Sequence, residues 1–133
     1  TGILINGIVS SQLLINIFEH NTPLHDGAVL IRGNTIVSAT CYLPLSENMR
    51  ISKDLGTRHR AAIGISEVSD SITIVVSEET GRVSVALGGN LIKVNDSEEL
   101  RKELSVLLED TAEEKKSSLW SKLLKGRGND KDK

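Results

Sequence analysis

Three short segments of this 133-residue chain place charged or hydroxyl side chains beside a glycine, at a predicted turn or at a predicted helix start. The first is His25-Asp26-Gly27-Ala28, which directly precedes an apolar run. The Asp26 carboxylate can hold a divalent cation or accept a proton from a hydroxyl group. Gly27 lets a ligand approach the backbone closely because it has no Cβ. The alternative is an ordinary Asp-Gly turn that leads into a strand.

The second segment is Thr57-Arg58-His59-Arg60, followed by residues that favour a helix. A helix start offers unpaired N–H groups and a partial positive charge to an anion, and arginines add charge-assisted donors for phosphate. Positions i and i+2 do not share a helix face, so both arginines reach one phosphate chain only if Arg58 lies on the entry turn. In the alternative, the arginines are solvated cations at the N-terminal end of the helix, where positive charge is unfavourable. Because that placement is unfavourable without a bound anion, it raises the expectation of anion binding.

The third segment is the acidic run S-E-E-T-G, which begins with Ser77 and Glu78. Serine can donate to a phosphate, and a glutamate can hold a metal ion or a ribose hydroxyl. When the segment is considered alone, a β-turn facing water is the simpler interpretation. The sequence contains neither a Walker loop nor a convincing Ser-His-Asp triad.

Composition excludes several classes of protein. Apolar residues make up 38% and charged residues 26%, as in soluble globular domains, and no apolar run is long enough to span a bilayer. The single cysteine, Cys41, excludes an intramolecular disulfide framework and a multi-cysteine zinc site. A net charge of −2 and an aromatic content of 2% argue against nucleic-acid binding through phosphate neutralisation or base stacking.

The periodicity of apolar residues predicts an α/β fold, a single domain with a central mixed β-sheet flanked by helices. We expect a helix capped by Ser10 or Ser11, a helix over about 58–68 with Thr57 as its N-cap, and a helix capped by Asp96 or Ser97. The predicted strands are Ala28–Ile31, Thr35–Tyr42, Ile72–Val76, Val83–Ala86 and 91–94, with a loop from Pro44 to Asp54.

The charge distribution predicts two regions. Half of the residues after Asn95 are charged, and most β-branched residues precede it. We therefore interpret residues 1–95 as the folded domain, and residues 96–133 as a helix followed by a charged, disordered tail.

The triplets Asp26-Gly27-Ala28 and Arg58-His59-Arg60 resemble the DGA and RHR signatures of the diadenylate cyclase family, whose domain makes cyclic di-AMP. They stand within the longer runs NTPLHDGAVLI and LGTRHRAAIGISE, and SEETG follows. The resemblance covers about residues 1–95 and is closest to the membrane-anchored bacterial subclass. It implies that the first helix and strand of the catalytic domain, and membrane helices, belong before Thr1. The whole protein would then lie at the cell membrane with this domain in the cytoplasm, whereas this chain alone would be soluble.

The resemblance implies that two ATP molecules are joined into one ring with release of two pyrophosphates. Each 3′-hydroxyl would attack the α-phosphate of the other nucleotide, which requires in-line positioning. One chain carries one set of motifs, so a face-to-face homodimer with twofold symmetry would supply both sites. We expect Asp26 and Arg58 to meet at the same nucleotide.

The resemblance also implies a role for each site residue. Asp26 would bind the metal and would either draw the proton from the 3′-hydroxyl or polarise it, and His25 would either bind the metal or orient the loop. The metal would be Mn²⁺ or Mg²⁺, with Co²⁺ as a further candidate. The catalytic residues would be Asp26, Arg58, His59 and Arg60, and the nucleotide would contact Gly27, Ala28, Tyr42, Leu43, Thr57, Arg58, Ser77 and Glu78.

Three alternatives stay open at this point. Tyr42, which with Leu43 would form the adenine platform, can instead be a core tyrosine at a strand end. The chain can be an ATP-binding sensor that does not cyclise, or an interaction module that works through its charged C-terminal helix. The resemblance further suggests a YbbR-domain regulator and phosphoglucosamine mutase as partners, besides ATP.

Overall fold

The computed structural model describes residues 2–48, 53 and 55–109. Contacts within the chain divide it into two compact units, the first ending at Leu43 and the second beginning at Pro44. The predicted boundary after Asn95 is a different division and stays a prediction. Residues 110–133, where we expect the charged tail, lie outside the described residues, as do 49–52 and 54 of the predicted loop.

The first unit is a three-stranded antiparallel sheet with one short helix. Its elements are β1 (Ile3–Ile8), α1 (Ser11–Ile17), β2 (Ala28–Arg32) and β3 (Thr35–Cys41), and the strand order is β1-β3-β2. Gly33 and Asn34 join β2 to β3, as the sequence predicts. Ser10 caps α1, because its Oγ accepts a hydrogen bond of 3.1 Å from the Leu13 backbone N–H. The core of this unit contains Ile17, Ile36 and Ala39.

Strand β1 is an element that the periodicity does not predict. The pairing register with β3 shifts between Leu4 and Gly7, and Asn6 has a φ of 53°. Exposed and half-buried residues nevertheless alternate along the strand from Leu4 to Ile8. Leu4 and Ile8 are accordingly 75% and 73% exposed, so apolar residues do not mark one buried face here.

The second unit is a sheet covered on both faces by helices. It contains α2 (Thr57–Val68), β4 (Thr73–Val76), β5 (Val83–Leu87), β6 (Asn90–Val94) and α3 (Ser97–Glu109), and the strand order is β4-β5-β6. Ala62 of α2 packs with Ala86 of β5, while Leu107 of α3 packs with Val85 and Leu87. Because neighbouring strand residues point to opposite faces, β5 is buried on both sides from Ser84 to Leu87.

The α/β class is confirmed, and the structure adds detail to the predicted sheet. The described strands form two antiparallel sheets, one within each unit, where the sequence predicts one mixed sheet. The prediction that Thr57 is an N-cap is wrong. Gly56 has the extended backbone of the N-cap, and Thr57 is already the first helical residue. Asp96 caps α3, since its Oδ1 accepts the Glu99 N–H at 2.8 Å. No helix among the described residues has the length and hydropathy needed to cross a membrane.

Candidate functional site

Arg58 links the start of α2 to the end of β4 in the second unit. Its Nη1 donates a 3.1 Å hydrogen bond to the carbonyl oxygen of Val76, the last residue of β4. Its Nη2 lies 2.9 Å from Oε1 of Glu78. The structure therefore brings together the second and third chemistry-bearing segments through Arg58 and Glu78, which are 20 positions apart in sequence.

Ser77 shapes the turn that carries Glu78. Its Oγ accepts hydrogen bonds from the backbone N–H groups of Glu79 and Thr80, at 3.3 and 3.2 Å. Its backbone also bonds to Gly81 and Arg82 across the turn. The hydroxyl hydrogen of Ser77 is not used by these acceptor contacts, so it can be donated to a phosphate oxygen.

The start of α2 has the features of an anion-binding helix terminus. Gly56 provides no side-chain cap, and the first turn contains no acidic residue. The Arg60 N–H makes the first helical bond, at 3.2 Å to the Gly56 carbonyl. The earlier N–H groups of the turn therefore meet no capping side chain, and they add to the positive end of the helix dipole.

His59 differs from the two arginines beside it. Its side chain is buried, whereas the Arg58 side chain is 45% exposed. Burial, and secondarily the charge of Arg58, lowers the pKa of His59 below its ordinary value. The ring is therefore neutral at pH 7, and the positive charge at this helix start belongs to Arg58 and the half-buried Arg60.

In the first unit, Asp26 and Tyr42 lie side by side. Gly27 has a φ of 85°, and a Cβ on it would lie 3.0 Å from the Cys41 carbonyl oxygen. Ala28 pairs with Cys41 at the end of β3. This close approach, which only glycine permits, places Asp26 beside the residue that follows β3. The Tyr42 hydroxyl donates a long hydrogen bond of 3.5 Å to Asp26 Oδ2.

Tyr42 is a surface residue. Its side chain is 71% exposed, so the alternative of a core tyrosine is wrong. Leu43 beside it is half-buried. An exposed phenol ring next to a carboxylate leaves a flat aromatic face available for a planar ligand.

His25 has the arrangement of a metal-binding histidine. Its Nδ1 lies 2.8 Å from the Thr22 carbonyl oxygen, which can only accept, so Nδ1 carries the hydrogen. Nε2 is then the ring nitrogen left to bind a ligand, and such a backbone contact commonly orients histidine ligands. Within the described parts of the chain, no three His, Cys, Asp or Glu side chains cluster for a metal ion. The His25 ring nitrogen and the Asp26 carboxylate are of the ligand types that divalent cations accept.

The residues that hold α2 in place carry no motif in the sequence. We call residues 44–48 the strap. The Ser46 N–H donates to the Arg60 carbonyl at 3.0 Å, and Ser46 Oγ donates to Glu67 Oε2 at 2.9 Å. A Cβ on Gly64 would lie 1.9 Å from the Pro44 carbonyl oxygen. The glycine inside a helix is the signal that could have revealed this contact, because glycine costs a helix about 1 kcal/mol relative to alanine.

The predicted meeting of Asp26 and Arg58 concerns residues of different units and stays a prediction. Within each unit, the structure brings together one part of the predicted set. These are Asp26 with Tyr42 in the first, and Arg58 with Glu78 in the second.

Comparison with known proteins agrees with the resemblance drawn from the motifs. A family model described as DAC, DisA bacterial checkpoint controller nucleotide-binding, matches residues 1–91. A protein named diadenylate cyclase from Listeria monocytogenes is 60% identical over 129 residues, which is 96% of this chain and 46% of the relative. The cyclic di-AMP synthase CdaA of Bacillus subtilis is 58% identical over 120 residues, covering 90% of this chain and 44% of the relative.

A solved structure has the same fold. The crystal structure of DacA from Staphylococcus aureus, as an N166C/T172C double mutant, matches with a TM-score of 0.76 and 52% sequence identity. The match covers 79% of this chain and 70% of that one. The chain spans about half the length of the curated relatives it matches. From the family match and these identities, the chain belongs to the DAC family, that of the DisA bacterial checkpoint controller nucleotide-binding domain.

Proposed function

We propose that this chain is the catalytic part of a diadenylate cyclase, which condenses two ATP molecules into cyclic di-AMP and releases two pyrophosphates. The observation that carries the proposal is the identity of 58–60%, over at least 90% of the chain, to proteins named for this activity. The geometry within each unit supports it, since one unit offers anion donors and the other a carboxylate beside an aromatic face.

The triphosphate would bind at the start of α2. The uncapped N–H groups, the Thr57 hydroxyl and the Arg58 and Arg60 guanidinium groups are donors for phosphate oxygens. Ser77 would complete this environment from the adjoining turn, where the Glu78 carboxylate contacts Arg58. Donors held in place before reaction stabilise the charge that grows on the departing pyrophosphate, and this is commonly the largest catalytic contribution. His59, neutral and buried, would support this cradle from inside the unit.

The nucleoside end would bind in the first unit. Tyr42 and Leu43 would contact adenine, while Gly27 and Ala28 would offer backbone to the nucleotide. Asp26 would accept the proton of the attacking 3′-hydroxyl or polarise it. The Tyr42 hydroxyl, 3.5 Å from Asp26 Oδ2, can orient that carboxylate.

A divalent cation would be held by His25 Nε2 and Asp26, with Mn²⁺, Mg²⁺ or Co²⁺ as candidates. When bound, the ion would neutralise phosphate charge and favour attack at the α-phosphate. The Thr22 carbonyl would keep the His25 ring in the tautomer that exposes Nε2.

Assembly and location complete the proposal. Two ATP molecules must face each other for two reciprocal attacks, and a homodimer with twofold symmetry supplies that arrangement. The family resemblance suggests that the whole protein is anchored at the cell membrane with this domain in the cytoplasm. It also suggests regulation by a YbbR-domain protein and by phosphoglucosamine mutase.

The test uses the longest available form of the protein, incubated with ATP and Mn²⁺, with the products identified by mass spectrometry. We expect a product with the mass of cyclic di-AMP. Asp26→Asn should abolish it while ATP affinity stays within about 5-fold, because the side chains are nearly isosteric and an exposed charge contributes little to binding. Asp70→Asn, which removes an exposed carboxylate from the second unit, is the matched control and should cyclise normally.

Two results would contradict the proposal. Intact ATP together with measurable binding by the unmodified protein would indicate a sensor that does not cyclise. Normal turnover by Asp26→Asn would remove Asp26 from the catalytic machinery.

A further inference from the structure

The side chain of Arg58 is anchored at two points near the end of β4, a backbone carbonyl and the side-chain carboxylate of Glu78. Val76, which accepts from Nη1, is paired with Val83 in the sheet. The turn that carries Glu78 is closed by a 2.9 Å hydrogen bond from the Ser77 N–H to the Arg82 carbonyl. The Val76 carbonyl and the backbone of Glu78 therefore keep their positions relative to β5, while the arginine side chain has several rotatable bonds that must be restrained for it to point in one direction.

The Arg58 guanidinium has N–H donors that these two contacts do not use. Arginine carries five N–H groups, and the contacts with Val76 and Glu78 use two nitrogens. The remaining N–H groups lie on a planar group whose orientation the two anchors determine. Arg58 stands in the first turn of α2, whose N–H groups would bind the same anion.

Glu78 itself is poorly suited to contact a triphosphate. Its side chain is 71% exposed and its carboxylate would repel phosphate oxygens at close range. Its contact in the second unit is with Arg58, at a distance typical of a charge-assisted hydrogen bond. These observations assign a different role from the nucleotide or metal contact that the family resemblance implies.

We propose that Glu78 is a positioning residue, which orients the Arg58 guanidinium toward an anion bound at the start of α2. This inference rests on the proposed function, since it concerns the phosphate end of the same site. Glu78 acts through Arg58, and Val76 provides the second anchor.

The test measures binding of inorganic tripolyphosphate by calorimetry at low ionic strength, where exposed charges are least screened. We expect Glu78→Ala to weaken binding by up to about 5-fold, the upper range for an exposed ion pair. Glu78→Gln keeps an oxygen that accepts from Arg58, so it should recover part of the lost affinity. Glu79→Ala removes the neighbouring exposed carboxylate and should leave the affinity unchanged.

A second arm separates positioning from a purely structural or metal-binding role. In an Arg58→Ala background, Glu78→Ala should cause no further loss, because the residue through which Glu78 acts is gone. Binding of Mn²⁺ alone, followed by electron paramagnetic resonance, should be the same in Glu78→Ala as in the unmodified protein. Thermal unfolding of the single variants should be unchanged, since Glu78 is exposed.

Three results would overturn the inference. Tighter tripolyphosphate binding in Glu78→Ala would identify Glu78 as a competitor of phosphate. An equal loss in the Arg58→Ala background would remove Arg58 from the argument, and weaker Mn²⁺ binding would make Glu78 a metal ligand. If the unmodified protein binds tripolyphosphate as expected but forms no cyclic di-AMP, the proposed function fails while the role of Glu78 stands.

Discussion

Replacement of Gly64 by alanine has two opposite effects on the free energy of unfolding. In an ordinary helix interior, this change stabilises by about 1 kcal/mol, because glycine is the more flexible residue in the unfolded chain. In this protein the added Cβ would lie 1.9 Å from the Pro44 carbonyl oxygen and 2.9 Å from the Ser46 nitrogen. Both neighbours are backbone atoms, so α2 and the strap must separate.

The structure gives the size of the loss. Forcing a methyl group into a filled contact costs about 1–3 kcal/mol. Displacing the strap also weakens the 3.0 Å bond from the Ser46 N–H to the Arg60 carbonyl, worth about 0.5–1.5 kcal/mol. The gain in helix propensity offsets about 1 kcal/mol of this. We therefore expect Gly64→Ala to lower the free energy of unfolding by about 1–3 kcal/mol.

Urea unfolding followed by circular dichroism measures this change directly. Thermal unfolding should show a Tm lower by roughly 4–10 °C for a chain of this size. Ser105→Ala, at an exposed position of α3, is the control for helix propensity alone and should be neutral or slightly stabilising. A Gly64→Ala protein as stable as the unmodified one, or more stable, would refute the reasoning.

A double variant identifies the strap as the origin of the effect. Ser46→Ala removes the 2.9 Å hydrogen bond to Glu67 and should destabilise by about 1 kcal/mol on its own. If Gly64→Ala already displaces the strap, adding Ser46→Ala should cost much less than its separate effect. Full additivity would mean that the two residues act independently.

Two further predictions concern the interior of the second unit. Burial, and then the Arg58 charge, lowers the pKa of His59 below its ordinary value of 6.5. As the pH falls below 6.5, the unfolded chain binds a proton at this histidine before the folded protein does. The free energy of unfolding therefore decreases until the pH reaches the lowered pKa. Urea unfolding at pH 7.5 and 5.5 should show this loss in the unmodified protein and a smaller one in His59→Gln; equal losses would contradict it. Ser66→Ala should destabilise by about 1–3 kcal/mol in urea unfolding, because Ser66 Oγ accepts the Gly89 N–H at 2.9 Å and donates to Ile63 at 2.7 Å in a buried position. A loss below about 0.5 kcal/mol would mean that water replaces both bonds.

Local signals predicted most of the regular elements. The hairpin at Gly33-Asn34, the helix after Ser10 and the helix after Asp96 follow from turn and capping residues, which act over three or four positions. Strand β1 could not be predicted in this way. Apolar residues occupy both its exposed and its half-buried positions, so residue type does not show the alternation that identifies a strand. Pairing with β3, 27 to 36 residues later, gives the segment its structure.

The candidate site also has features that local sequence signals predicted and features that they did not. Residue type and spacing singled out Asp26, Arg58 and Glu78 as candidates. Ordinary turns remained the alternative for Asp26 and Glu78, and the resemblance to the family assigned each residue its role. The exposure of Tyr42 and the burial of His59 could not be predicted, since both depend on what surrounds each ring. The Arg58–Glu78 contact also required the structure, because it depends on how α2 packs against the end of β4.

The amino-acid sequence alone determined the family, the α/β class and the chemical groups that the site can use, since these depend on side-chain types and on order along the chain. Only the tertiary structure decided which groups are in contact, how the strap holds α2 and why Gly64 is a glycine. The physical reason is that packing and hydrogen bonding between distant segments depend on distances of a few tenths of an ångström, which local sequence patterns do not specify.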